Sequence, residues 1–440
     1  MFYLAHRSIS VSAALLAGGV LALPPHDGRA RISTPGPVLP GQRSLQGAPE
    51  KTSPPPRRDA AASAPDSATR PVYESFGFAL FRDAAQHGAG NLFLSPVSAG
   101  LALGMAYSGA RGPTRGDMAR TLGVEGIAPE DVAAANARML ESLRGQHDVE
   151  LLIANALWAQ QGVSLAPEFI VGTRRDFGAD VQTLDFRSPA ALAVINGWVA
   201  RSTNGKIPTI LTSQPDPLPV LMLANAVYFK GKWASKFDSA NTQNRAFSRL
   251  DGSQVQRRMM TRTGTYAIGS AKHLAVLRMP YVGDRFGLYV LLPDSGVGLG
   301  AAYQALDAAS WDALVSTGFG SRAVHVVLPR FTIRTGATLN AALKRLGMAS
   351  AFSAAADFGG MMPAAAAGRR IAISDVRQQT FIEVTEEGTE AAAATSVGVT
   401  ATAVHREPPV VQFVADRPFV AVLRDDRTGA ILFIGQVTDP

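Results

Sequence analysis

The chain has 440 residues, 47% hydrophobic and 18% charged, with no cysteine and a net charge of +7. The composition is globular and long enough for one large domain or two modest ones. The missing thiol excludes disulfides, thiolate catalysis, cysteine-held metals and a cysteine-linked lipid anchor.

The N-terminus opens with a short, weakly basic stretch, Met1–Arg7, followed by the apolar, small-residue run SISVSAALLAGGVLAL up to Leu23 and then Pro24 and Pro25. Residues 1–23 read as a secretory signal, with Val20 and Ala22 as the small residues before the cut. The competing reading is an uncleaved membrane anchor. The run has 16 residues, with serine and glycine inside it, and is short for a span of about 20. Export is therefore expected, to a secreted or periplasmic location, with no stable membrane partner once the signal is removed.

Residues 24–70 are rich in Pro, Ala and Arg and have no apolar periodicity. Such a segment cannot bury a core and is expected to be a disordered linker. Residues 1–70 carry eight basic and four acidic residues, so +4 of the +7 lies there. The excess is scattered and lacks interleaved aromatics, which favours a solvated tail over nucleic-acid binding.

Residues 71–440 are globular throughout, with no second linker. Apolar residues at three- and four-residue spacing predict early helices in VYESFGFALFRDAAQ, SPVSAGLALGMAYSGA, APEDVAAANARMLESLR and ALAVINGWVARSTNGKI. Strand-like runs dominate later: LPVLMLANAVYFKG, HLAVLRMPY, FGLYVLLPD, AVHVVLPRFTI, QTFIEVT, PPVVQFVA, FVAVLRD and AILFIGQV. Several are continuously apolar, as central strands buried on both faces should be. LNAALKRLGMASAF adds a helix with Gly347 as its stop. The expected class is α+β with a dominant sheet.

No catalytic set emerges. The seven histidines stand singly, without a metal-binding pair, so no metal is expected. There is no Gly-x-Ser-x-Gly elbow and no phosphate loop. Lys206 follows Ser202 by four residues rather than three, and the glycine between them suits a helix end. The acids of EEGTE read more simply as a solvated face than as an acid–base pair. Neither an enzyme nor a cofactor is expected.

The stretch EEGTEAAAATSVGVT, Glu386–Thr400, lies between two strongly apolar runs. Its alanines permit a helix, but β-branched residues and a glycine follow and argue against continuing it. A surface loop is the other plain reading. With a period of two, Thr389, Ala391, Ala393, Thr395, Val397 and Val399 share one face, and Glu390, Ala392, Ala394, Ser396 and Gly398 the other. The first face is small and apolar enough to bury. A segment that serves first as loop and then as strand would have this pattern.

Residues 72–440 resemble the serpins, the serine-protease-inhibitor family. The resemblance is collinear: NLFLSPVSAGLALGMAYSGARGPTRGDM, NALWAQQGVSLAPEF, VQTLDF, INGWVARSTNGKIPTIL, LANAVYFKGKWASKFD, LPRFTI, LKRLGMASAF, FIEVTEEGTEAAAAT, DRPFVAVL and ILFIGQV. It implies a large central β-sheet, additional sheets, eight or nine helices and an exposed reactive-centre loop. It also implies a monomer whose partner is a serine protease, held as a covalent acyl-enzyme when the cleaved loop inserts as a new strand.

The resemblance assigns the hinge to Glu386, Glu387, Gly388, Thr389, Glu390, Ala391, Ala392, Ala393, Ala394 and Thr395. Arg330 stands where the family has a basic partner for Glu386. Ser95, Ser98, Asn225 and Trp233 match polar and aromatic positions around the sheet's opening line. Gln378 departs from the histidine of many relatives; it keeps hydrogen bonding and loses titration. Thr402, 14 residues after Gly388, is the expected residue before the scissile bond, with Ala403 after it and Ala401 or Val404 as shifted registers. Small residues there suit an elastase-like or subtilisin-like target, whereas Arg406 would suit a trypsin-like one. A non-inhibitory chaperone or carrier is the remaining alternative.

Overall fold

The structure, a computed structural model, describes residues 73–440 except 390–408 and the single positions 89, 147, 272 and 367. The described residues form nine α-helices and two large sheets, which is the expected α+β class.

The central sheet contains Val149–Gln160 (β1), Ala179–Leu184 (β2), Leu221–Lys232 (β3), Phe331–Thr338 (β4), Ile373–Val384 (β5) and Gly388–Thr389 (β6). Its order is β4-β5-β6-β3-β1-β2. β3 and β5 also pair directly and in parallel, from Ile373 opposite Leu221 to Phe381 opposite Tyr228. Beyond that point they part, and β6 lies between them. The line between β3 and β5 is therefore a seam, closed along most of its length and split at one end.

Helix Pro96–Gly109 underlies the sheet, and every residue in it except Ser108 is buried. Its sequence is apolar almost all round, which suits a helix packed on several sides. Helix Pro189–Ser202 covers the opposite face. There Trp198 meets Trp158 edge-on at 5.0 Å, and the facing strand residues include Ala154, Ala156, Ala224 and Ala226. Small side chains let the helix lie close on the strands.

In the nine-stranded second sheet, Phe286–Pro293, Phe419–Asp425 and Ile431–Val437 are buried at every position. Val411–Val414 joins it parallel to Phe319–Pro329, with Val411 opposite Val324. This strand receives the chain after residue 408.

Two local readings are refined. AVHVVLPRFTI is not one strand: Phe319–Pro329 belongs to the second sheet and Phe331–Thr338 to the central one. Pro329 has no N–H for a continued ladder, and exposed Arg330 marks the crossing. LNAALKRLGMASAF is not one α-helix either. Asn340–Leu343 widens into a π-helical turn, and Gly347 at φ 111° ends it before the 3-10 turn Ala349–Phe352. A positive φ of this size suits glycine alone.

Candidate functional site: hinge and seam

A tight turn delivers the hinge to the split end of the seam. The Thr385 N–H donates to Gly388 O at 2.8 Å, and the Gly388 N–H donates back at 3.3 Å. The Thr385 hydroxyl also donates to Gly388 O at 3.0 Å. Gly388 has φ 148°, and a Cβ there would sit 2.1 Å from Gly231 O. Only glycine fits this conformation and this approach.

Thr389 follows Gly388 into the sheet. It is paired with Gly231 of β3 and Val384 of β5 and is fully buried. Its hydroxyl is 2.7 Å from the Tyr281 hydroxyl. Tyr281 stacks on Trp233, with ring centroids 4.5 Å apart. Burial pushes the Tyr281 phenol well above its ordinary pKa, against the opposing effect of the Thr389 bond. The pair is thus a neutral hydroxyl–hydroxyl bond, and it fixes which face of the hinge points inward.

The two acids before the glycine are tethered. Glu386 is 5% exposed. It accepts from the Thr242 hydroxyl at 2.6 Å and lies 3.1 Å from Arg330 Nε. Its backbone carbonyl accepts from the Phe237 N–H at 2.9 Å. Glu387 lies 3.5 Å from Lys236 Nζ, and its carbonyl accepts from the Trp233 N–H at 3.0 Å. The Trp233 indole donates to Thr385 O at 2.9 Å. Arg330 is 43% exposed, so its ion pair with Glu386 contributes no more than about 1 kcal/mol.

Midway down the seam lies a buried polar row. Asn155 of β1 is opposite Asn225 of β3, which is opposite Gln378 of β5. Gln378 Oε1 accepts from the Ser95 N–H at 2.9 Å. Its Nε2 donates to Ser95 O and to Asn225 Oδ1, both at 3.0 Å. Asn225 Nδ2 donates to the Ser98 hydroxyl, and to Asn155 Oδ1 at 2.8 Å. The start of helix Pro96–Gly109 therefore holds both sides of the seam from beneath, through Ser95 on one side and Ser98 on the other. Across the seam itself this row has one side-chain bond, from Gln378 to Asn225.

The structure brings Glu386, Glu387, Gly388, Thr389, Trp233 and Arg330 together at the split end, and Ser95, Ser98, Asn225 and Gln378 below it. The Ser95 hydroxyl, as distinct from its backbone, has no partner among the described residues. Glu390, Ala391, Ala392, Ala393, Ala394 and Thr395 lie outside the described residues, as do Ala401, Thr402, Ala403, Val404 and Arg406.

Four contributors escape the sequence reading: Thr242, Lys236, Tyr281 and Asn155. Thr242 and Tyr281 lie in no motif, and Lys236 has no mark of its own within LANAVYFKGKWASKFD. Asn155 had a readable mark. It is the centre of Ala154-Asn155-Ala156 in an apolar run, and the same tripeptide recurs as Ala224-Asn225-Ala226, paired with it in exact antiparallel register. Among the described residues, no group of His, Asp or Glu could hold a metal, and no helix is long and apolar enough to cross a membrane.

A family profile described as Serpin (serine protease inhibitor) matches residues 72–440. The chain is 35% identical over 365 residues to leukocyte elastase inhibitor of Homo sapiens, covering 80% of this chain and 94% of that one. It is 36% identical over 373 residues to an uncharacterised serpin-like protein of Thermococcus kodakarensis, covering 83% and 84%. Among solved structures, the native state of the thermophilic serpin tengpin aligns with a TM-score of 0.77 at 27% identity, over 85% of this chain and 95% of that one. Human thyroxine-binding globulin complexed with thyroxine aligns at 0.76 and 25%, over 84% and 98%. The profile match spans most of the chain and the relatives align nearly end to end, so the chain belongs to the serpin family.

Proposed function

We propose that the protein is an exported, monomeric suicide-substrate inhibitor of a serine protease, with residues 71–440 as the inhibitory domain behind a signal and a linker. The protease serine attacks the Thr402 carbonyl. The Thr402–Ala403 amide breaks, its nitrogen leaves as the free amine of Ala403, and an ester to Thr402 remains. The freed strand then inserts between β3 and β5 before water hydrolyses the ester.

One observation carries this reading: Gly388 and Thr389 already sit between β3 and β5, with Thr389 fully buried. Continuing its register, Thr389 opposite Gly231 and Val384, has a definite consequence. Thr395 would reach the level of both Asn225 and Gln378. Val399 would meet Leu221, the first residue of β3, at the far end. Thr402 then falls three residues beyond the strand, which suits an ester carried to the far edge of the sheet. Cleavage after Arg406 would leave seven residues over and would favour turnover.

Small residues around Thr402 fit a shallow specificity pocket, elastase-like or subtilisin-like, and one relative of 35% identity is named as an elastase inhibitor. The test is a gel of the protein mixed with small-pocket and trypsin-like proteases. An SDS-stable band of summed mass, with a released peptide starting at Ala403 within two residues, is expected from a small-pocket enzyme. A peptide starting at Glu407 would move the target to a trypsin-like enzyme. Clean cleavage by the whole panel without such a band would favour a non-inhibitory role.

A further inference from the structure

Helix Pro167–Phe177 presents two rows to a cleft of about 290 Å³. Glu168, Gly172 and Asp176 follow one another at a spacing of four and form its rim. Phe169, Thr173 and Phe177 form its floor at the same spacing. Glu130 and Ala133, from the start of helix Pro129–Leu143, close the opposite side.

Three features of this cleft have no role in the hinge. Gly172 sits in the middle of the acid row, in ordinary helical conformation, and a Cβ there would meet nothing within 4 Å. A helical glycine is destabilising relative to alanine, and no close approach demands this one. Its effect is to leave the centre of the cleft open. Thr173 also lines the cleft; it is 2% exposed, and its hydroxyl has no hydrogen-bond partner among the described residues, although buried hydroxyls normally find one. Glu130 and Glu168 have no ion-pair partner among the described residues, whereas Asp176 is held by Arg175 at 2.6 Å. Their first-turn positions suit the helix dipole, but that does not account for their convergence on one cleft.

The geometry points to a binding site for a short aliphatic di- or polyamine. Two unpaired carboxylates would take ammonium groups, the unpartnered hydroxyl would accept a further N–H, and the two phenyl rings would cover the methylenes and face the cation. A metal ion is a poor match, because the carboxylates are interleaved with aromatic and hydroxyl groups and form no metal-holding cluster.

The probe is spermidine, titrated calorimetrically into the full-length protein at constant ionic strength. A saturable heat of about one site is expected. Glu168→Gln should weaken it about tenfold or more, and Gly172→Leu, which fills the cleft without changing charge, should abolish it. Both variants are expected to melt like the parent, since neither position is a packing centre. Absence of a saturable heat overturns the proposal. So does a heat that survives both substitutions, which would mean diffuse attraction to surface acids. Protease trapping is a separate readout and is unaffected by either result.

Discussion

Gln378 Nε2 and Asn225 Oδ1 are 3.0 Å apart across the seam, and both side chains are anchored below by the first turn of helix Pro96–Gly109. Parting β3 from β5 breaks this bond and leaves one donor on one strand and one acceptor on the other. A hydroxyl, which both donates and accepts, is the smallest group that satisfies the two at once. The register of Thr389, continued, brings Thr395 to that level from either strand.

Thr395→Val should therefore impair the inserted state. It keeps the shape, removes the hydroxyl and leaves two buried polar groups unsatisfied, at roughly 1–3 kcal/mol. The cleaved form is expected to melt several degrees lower than cleaved parent, with Thr395→Ser close to parent. Equal melting of the Val variant and the parent would show that the register differs.

Thr389→Arg is expected to turn inhibitor into substrate. Thr389 is fully buried against Tyr281, so an arginine there must be desolvated without a partner, at several kcal/mol, or stay out of the sheet. Hydrolysis then outruns insertion, and the moles of inhibitor consumed per mole of protease should rise severalfold. Glu390→Arg, one residue on and on the opposite face of a strand, should keep most of the trapping. Equal failure of both would contradict the two-faced reading of the hinge.

Gly388→Ala should expel the hinge from the split end. Its Cβ would collide with Gly231 O and Lys232 Cα, both backbone atoms that cannot rotate away. Limited proteolysis should then cut near Glu387 in the variant under conditions that spare the parent. Identical digestion patterns would mean that the turn accommodates a side chain.

Asp83 gives a pH dependence of defined sign. Paired hydrogen bonds from the Arg345 guanidinium, at 2.8 and 2.6 Å, hold its carboxyl below the usual value. A depressed folded-state pKa contributes stability above the unfolded value of about 3.9 and loses it as pH falls through the folded one. The melting difference between parent and Asp83→Asn should shrink as pH falls below about 4. A difference that grows across that range would contradict this sign.

The sequence made the hinge legible because its chemistry is local. A glycine between acids and a period-two face of small residues show without neighbours, and Thr389, the first residue of the inward face, is buried between β3 and β5. Continuous apolar runs likewise marked Phe286–Pro293 and Ile431–Val437. The 18-residue strand Gln254–Ala271 was not legible. Its exposed and half-buried arginines and threonines and few buried positions form no apolar run, and its pairing with Phe319–Pro329 stabilises it instead. Thr242 and Tyr281 become hinge partners only through contacts more than a hundred residues apart in the chain. Such long-range contacts leave no local pattern.

The most direct test of the central claim is the melting temperature of the protein before and after a single cut at the loop, made by a protease that is then removed. If the freed segment enters between β3 and β5, it gains backbone pairing on both edges and buries its small-residue face, and the cleaved protein should melt well above the intact one. Unchanged melting after complete cleavage would mean that the seam stays closed along Gln378 and Asn225, contradicting inhibition by strand insertion.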